Sequence, residues 1–69
     1  MRKGSVKALG AKIKKYRKLR GLSQVELAVI ISLSPGYIGS IEQGIRYPSL
    51  KTLEKLARAL KVPVNELFY

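Results

Sequence analysis

The sequence predicts a compact all-α fold built from five short helices. Three observations carry that reading. Apolar residues recur at three- and four-residue spacing, and no stretch alternates in the two-residue manner of a strand. Serines in a helix-starting context recur at positions 23, 34 and 49,. Gly21 and Gly44 stand where two of the periodic segments end, as helix-terminating glycines do,.

Leu9, Ile13 and Tyr16 give a first helix from about Val6 to Arg20, closed by Gly21,. This leaves residues 1–5 as a loose basic N-terminus ahead of a folded domain over 6–69,. "LSQVEL" reads as a capping box, in which the Ser23 hydroxyl accepts from the Glu26 amide and the Glu26 carboxylate accepts from the Ser23 amide,. Leu22 and Leu27 stand at the two staple positions around it, and the second helix runs from Gln24 to about Ile31,. Ser34 repeats the device with Pro35 at the first helical position, where a missing N–H costs nothing,. Leu33 and Ile38 form the matching staple, Ile38 and Ile41 face inward, and Gly44 closes this third helix. Ser49 caps a fourth, whose apolar stripe is Leu53, Leu56, Ala57 and Leu60,. Pro63 starts a last short turn with Val64, Leu67 and Phe68 apolar.

Composition narrows the function. With 69 residues, one domain is expected, and a domain of that size buries only about 60% of its unfolded surface,. The chain has no cysteine and no histidine, which removes disulfides, thiolate metal sites and the usual general base,. Only four acids are present, so no nucleophile–base pair can be assembled and neither an enzyme nor a cofactor is expected,. The longest apolar run, "LAVII" at 27–31, is far too short to span a bilayer, and no signal-peptide core follows the basic start,. A cytoplasmic protein is the expectation, with no membrane partner.

Charge points to the partner. Fourteen basic residues oppose four acidic ones, for a net charge of +10. Nine of the fourteen crowd the first twenty positions, where no acid occurs, and residues 21–45 contain none. Solubility alone is the bland explanation; a polyanion, nucleic acid before membrane, is the better one. The uncharged region holds two short helices joined by "SLS" at 32–34, the spacing of a helix-turn-helix unit,.

At these residues the chain resembles the lambda-repressor-like, Cro/C1-type (XRE) helix-turn-helix DNA-binding domain. The resemblance covers about residues 9–68. It rests on Arg17, Ser23-Gln24, Leu27-Ala28, Ile38, Ile41-Glu42, Gly44, Pro48-Ser49, Leu53, Leu56-Ala57, Leu60, Val62 and Leu67. Ser32 and Lys61 depart from the pattern, since glycine or another αL-tolerant residue is usual there, and a left-handed backbone would strain either,. Val29 and Ile30 replace residues that are commonly polar and give the second helix an apolar outer edge.

The resemblance implies that the third helix enters the major groove with its N-terminal half towards the bases. Ser34, Pro35, Gly36, Tyr37 and Ser40 are then the base or groove candidates. Gly36 either lets backbone approach DNA or is merely tolerated in an exposed first turn. Gly39 is the small residue expected where the two helices of the motif pack. Tyr37 offers a ring edge to a thymine methyl, and Ser40 discriminates weakly between bases. Ser23, Gln24 and Arg46 are the phosphate candidates, assisted by the N-terminus of the second helix. Arg17 and Glu42 are expected to pair inward, because a lone carboxylate facing phosphate would oppose binding.

One such domain covers few base pairs, so a homodimer on a near-palindromic double-stranded operator is expected, with repression as its simplest outcome. Val64, Leu67, Phe68 and Tyr69 are the candidate dimer contact, unless Val64 and Leu67 only close the core. Two rival functions remain. One is an antitoxin or antagonist module that binds a protein, favoured by Val29 and Ile30. The other is a non-specific cationic binder of RNA or membrane surfaces, favoured only by the lysine-rich first helix.

Overall fold

The computed structural model describes the backbone of residues 3–68 and the side chains of residues 6–67. Five helices follow in order: α1 (Lys3–Leu19), α2 (Gln24–Ile31), α3 (Pro35–Glu42), α4 (Leu50–Leu60) and α5 (Asn65–Phe68). Each expected serine cap forms. Ser23 makes both halves of the capping box with Glu26, Ser34 accepts from the Tyr37 amide, and Ser49 accepts from the Thr52 amide. The first helix differs from expectation at its start. It begins at Lys3 rather than Val6, because no proline or cap signal interrupts the ladder before it,. Three of the five residues expected to be loose therefore carry helical backbone, and Met1 and Arg2 lie outside the described residues.

The first four helices all terminate in the same way. A left-handed residue follows each of them: Gly21 (φ 70°), Ser32 (φ 60°), Gly44 (φ 78°) and Lys61 (φ 60°). The amide after each reaches back to a helix carbonyl five residues earlier: Leu22 to Arg17 (3.1 Å), Leu33 to Ala28 (2.9 Å), Ile45 to Ser40 (2.9 Å) and Val62 to Ala57 (3.0 Å). This is the Schellman pattern, which satisfies carbonyls the helix leaves orphaned. Glycine supplies the conformation twice; a serine and a lysine bear the Cβ penalty at the other two ends.

One core unites all five helices. Leu9 and Ile13 come from α1, Leu27, Ala28 and Ile31 from α2, and Ile38 and Ile41 from α3. The α4 stripe Leu53, Leu56, Ala57 and Leu60 is buried as expected, and Leu22 and Leu33 pack on the margin as staple residues should. Leu67 requires a correction. It is only 2% exposed and belongs to the core, with Val64 half-buried against it. Leu67 therefore offers no surface to a second copy. The reason is that α5 folds back onto α1, where Tyr16 Oη donates to Glu66 Oε1 (2.8 Å) and Lys12 Nζ donates to the Glu66 carbonyl (3.2 Å). The Phe68 side chain and Tyr69, the other two expected dimer contacts, lie outside the described residues.

Helix α1 also crosses α3 at very close range. A Cβ built on Gly10 would sit 2.3 Å from the Ile41 carbonyl oxygen and 2.6 Å from that of Glu42. At the other end of α1, Arg20 Nε donates to the Leu60 carbonyl (2.7 Å) and Nη2 to that of Lys61 (3.2 Å). A cation at the C-terminus of α4 complements that helix's dipole. Among the described residues no single helix is long and apolar enough to cross a membrane.

Candidate nucleic-acid interface

The chain bends by 112° between α2 and α3, within the range of helix-turn-helix units,. Only Ser32, Leu33 and Ser34 separate the two helices, and the left-handed Ser32 makes the corner. Ser34 then caps α3, and Pro35 follows at its first position. The N-terminal half of α3 is thereby displayed on the outside: Ser34, Pro35 and Gly36 are exposed, while Ile38 and Ile41 anchor the helix beneath.

Ser34, Gly36, Tyr37, Ser40 and Arg46 line one shallow, open depression of about 430 Å³. The structure thus brings together four of the five expected groove residues and one expected phosphate residue; Pro35 stands outside the depression. The space beside Gly36 is open: a Cβ built there would meet no neighbouring atom within 4 Å. Arg46 leans over Tyr37, its guanidinium carbon 5.9 Å from the ring centroid, as in a cation–π contact,. The Arg46 backbone amide also donates to the Ser40 carbonyl (3.2 Å), which fixes the loop beneath that side chain. Ser40 is partly committed, because its hydroxyl donates to the Tyr37 carbonyl (2.7 Å) and keeps only acceptor capacity outward,.

The second group lies at the start of α2. Ser23 Oγ accepts from the Glu26 amide (3.0 Å), and Glu26 Oε1 accepts from the Ser23 amide (2.8 Å). Gln24 turns partly inward, with Nε2 donating to Glu42 Oε1 (3.1 Å). Its amide also lies against Gly39, where a Cβ would meet Gln24 Oε1 at an ordinary 3.6 Å. A small residue at 39 is therefore next to α2, as expected, but the space has room for a methyl group.

Arg17 and Glu42 form the expected pair. Arg17 Nε donates to Glu42 Oε2 (2.6 Å), Nη2 donates to Glu42 Oε1 (3.0 Å), and Nη1 donates to the Leu22 carbonyl (2.8 Å). The side chains are 9% and 3% exposed, so this is a two-pronged, hydrogen-bonded pair out of water,. The hydrogen bond to Glu42 holds the Arg17 pKa above its ordinary value, against the opposing effect of burial. With Gln24 on the same carboxylate, three helices meet at Glu42. No buried side-chain nitrogen or oxygen among the described residues lacks a hydrogen-bond partner.

Two features are not apparent from the sequence. The close approach at Gly10 is signalled only by spacing, since Gly10, Ile13 and Arg17 share one inward stripe,. The link from Gln24 to Glu42 has no local signal. The apolar outer edge of α2 is exposed, as expected from Val29 and Ile30. Val29 (73% exposed) and Ile30 (54% exposed) are adjacent in sequence and therefore about 100° apart around the helix,.

Comparison with known proteins identifies the family. The family described as "Helix-turn-helix" matches residues 13–67. The chain is 44% identical over 59 residues to the immunity repressor protein of Bacillus phage phi105, covering 86% of this chain and 41% of that protein's length. Among solved structures, the restriction-modification controller protein C.AhdI from Aeromonas hydrophila superposes with a TM-score of 0.89 at 37% identity, over 94% of this chain and 98% of that one. SinR, the master regulator for biofilm formation, solved in complex with DNA, superposes with a TM-score of 0.84 at 39% identity, over 88% and 98%. With the caps, the corner and the Arg17–Glu42 pair in position, the chain belongs to the Cro/C1-type helix-turn-helix family.

Proposed function

We propose that the chain is a sequence-specific, double-stranded-DNA-binding regulator of transcription that represses by occupying its site and works in the cytoplasm. The observation that carries this reading is the depression at the N-terminal half of α3, lined by the uncharged Ser34, Gly36, Tyr37 and Ser40 of that helix and its cap together with the single cation Arg46. Uncharged α3 residues beside one arginine make a surface suited to base edges, with the cation left for a phosphate,. The similarity to SinR, solved in complex with DNA, supports the same docking.

In this reading Tyr37, Ser34, Pro35, Gly36 and Ser40 meet the bases and groove walls. Ser23, Gln24 and Arg46 hold phosphates, and the α2 N-terminus adds its dipole. Gln24 carries two amide hydrogens, so the bond to Glu42 leaves one free for a phosphate oxygen,. Arg17 and Glu42 set the angle between α1 and α3 and touch no nucleotide. Without arginine or an amide on the base-facing positions, much of the specificity comes from apolar contact and DNA shape. Two copies on a near-palindrome, with half-sites about one helical turn apart, complete the site. The chain acts by occupancy and catalyses nothing.

Selection of bound duplexes from a random library, at two salt concentrations, tests the reading. We expect an enriched, near-symmetric motif and a log–log salt slope near −0.9 for each phosphate neutralised. Arg46→Ala should weaken all sequences alike and flatten that slope by about one unit, whereas Tyr37→Ala should change the preference among sites. A flat salt response, or a steep one without any motif, would refute sequence-specific binding.

A further inference from the structure

Between the C-terminal end of α2 and the middle of α4, the surface opens into a groove of about 350 Å³. Ile30 and Ile31 form one wall with Ser32, and Lys55, Arg58 and Ala59 of α4 form the other. No acid lines the groove, and neither cation has an ion-pair partner among the described residues. An apolar wall facing two unpaired cations is complementary to one kind of occupant. We propose that this groove docks an acidic amphipathic segment of another protein, with apolar side chains against Ile30 and Ala59 and carboxylates on Lys55 and Arg58. That is the helix-in-groove mode of recognition, read by anchors at three- and four-residue spacing.

Two other occupants are disfavoured by the molecule itself. A second copy has only four acids to offer. Glu26 is held in the Ser23 cap, Glu42 by Arg17 and Gln24, and Glu66 by Tyr16, which leaves Glu54 alone. DNA bound through α3 also leaves the groove uncovered by its contacts, since the groove shares no lining residue with the α3 depression. Acidic segment and duplex can therefore be bound together, so the proposal goes beyond DNA binding and stands or falls separately from it.

The test uses the full chain and a fluorescently labelled helical peptide with leucine at i, i+3, i+4 and i+7 and glutamate between. Controls are a peptide of the same composition in scrambled order and one with lysine in place of glutamate. Anisotropy should show the patterned acidic peptide binding about tenfold more tightly than either control. Ile30→Gln and the double change Lys55→Glu with Arg58→Glu should each abolish that advantage while leaving the melting temperature near the parent's. Amide shifts on peptide addition should centre on residues 30–32 and 55–59 and persist with duplex bound. The proposal is overturned if the scrambled peptide binds equally, if duplex displaces the peptide, or if the shifts fall on α1 or α3. It is equally overturned if sedimentation shows self-association that Ile30→Gln abolishes, since the groove would then hold a second copy.

Discussion

Replacing Gly10 with alanine and, separately, Gly39 with alanine applies the same chemical change at two helix-interior sites and should give opposite results. At position 10 the new methyl would stand 2.3 Å and 2.6 Å from two main-chain oxygens of α3. Helix α1 must retreat by about 0.7 Å merely to reach a 3.0 Å approach, and neither obstacle is a flexible side-chain tip. Overpacking costs about 1–3 kcal/mol, and rigid backbone on the far side puts this case near 3. Alanine's better helix propensity returns about 1 kcal/mol, so Gly10→Ala should lose roughly 2 kcal/mol. For a domain of this size that lowers the melting temperature by about 8–16 °C. At position 39 the methyl meets only the Gln24 side-chain amide, with Oε1 at 3.6 Å and Nε2 at 3.8 Å, both ordinary contacts, so the propensity term acts alone. Gly39→Ala should gain up to about 1 kcal/mol and melt some 4–8 °C higher. Thermal unfolding followed by circular dichroism measures both. If Gly10→Ala melts at or above the parent temperature, the close crossing of α1 and α3 is refuted.

Three further outcomes follow from the geometry. Ser32→Gly and Lys61→Gly should each stabilise by about 0.5–1 kcal/mol in urea titration, because both positions hold left-handed backbone at φ 60° that glycine adopts without strain,. Destabilisation by either would contradict those corners. Glu42→Ala strands the Arg17 guanidinium out of water and should cost about 3–5 kcal/mol,; a loss under about 1 kcal/mol would mean that the pair is solvated. Tyr16 titrates above its ordinary 10.0, chiefly because its hydroxyl donates to Glu66. A raised folded pKa means that this tie contributes fully below pH 10 and is lost as pH climbs through the folded value. Alkaline unfolding should therefore show a component above pH 10 that is missing in Tyr16→Phe, with phenolate absorbance marking the same step.

Most of the fold was legible because its signals are local. Ser23, Ser34 and Ser49 announce helix starts within four residues, and the staple leucines Leu22 and Leu33 fix how the chain enters α2 and α3,. The α4 stripe repeats cleanly enough to name every buried residue. Legibility failed wherever the answer depended on a distant segment. Gly10 shares the inward stripe of Ile13 and Arg17, but a glycine on that face reads the same whether it meets a side chain or a backbone carbonyl. Leu67 shows the same ambiguity, since an apolar turn is equally suited to a core and to a partner, and only the return of α5 onto α1 decides between them. Gln24 is expected only as a phosphate candidate, and its bond to Glu42 has no signal because that carboxylate lies eighteen residues away. The candidate site was readable in outline, since helix caps dictate which residues of α3 face out. The lean of Arg46 over Tyr37 was not, because it depends on how the loop after α3 turns back.

The meeting of Arg17, Glu42 and Gln24 has a consequence for genetics. A defect at Glu42 would free the Gln24 amide to wander and loosen the whole scaffold at once, so a screen for lost regulation would score it as an operator-contact lesion. Growth temperature would separate the two kinds of allele. Changes at Arg17 or Glu42 should be rescued by cold, whereas, on the proposed docking, changes at Tyr37 or Arg46 should fail equally at every temperature.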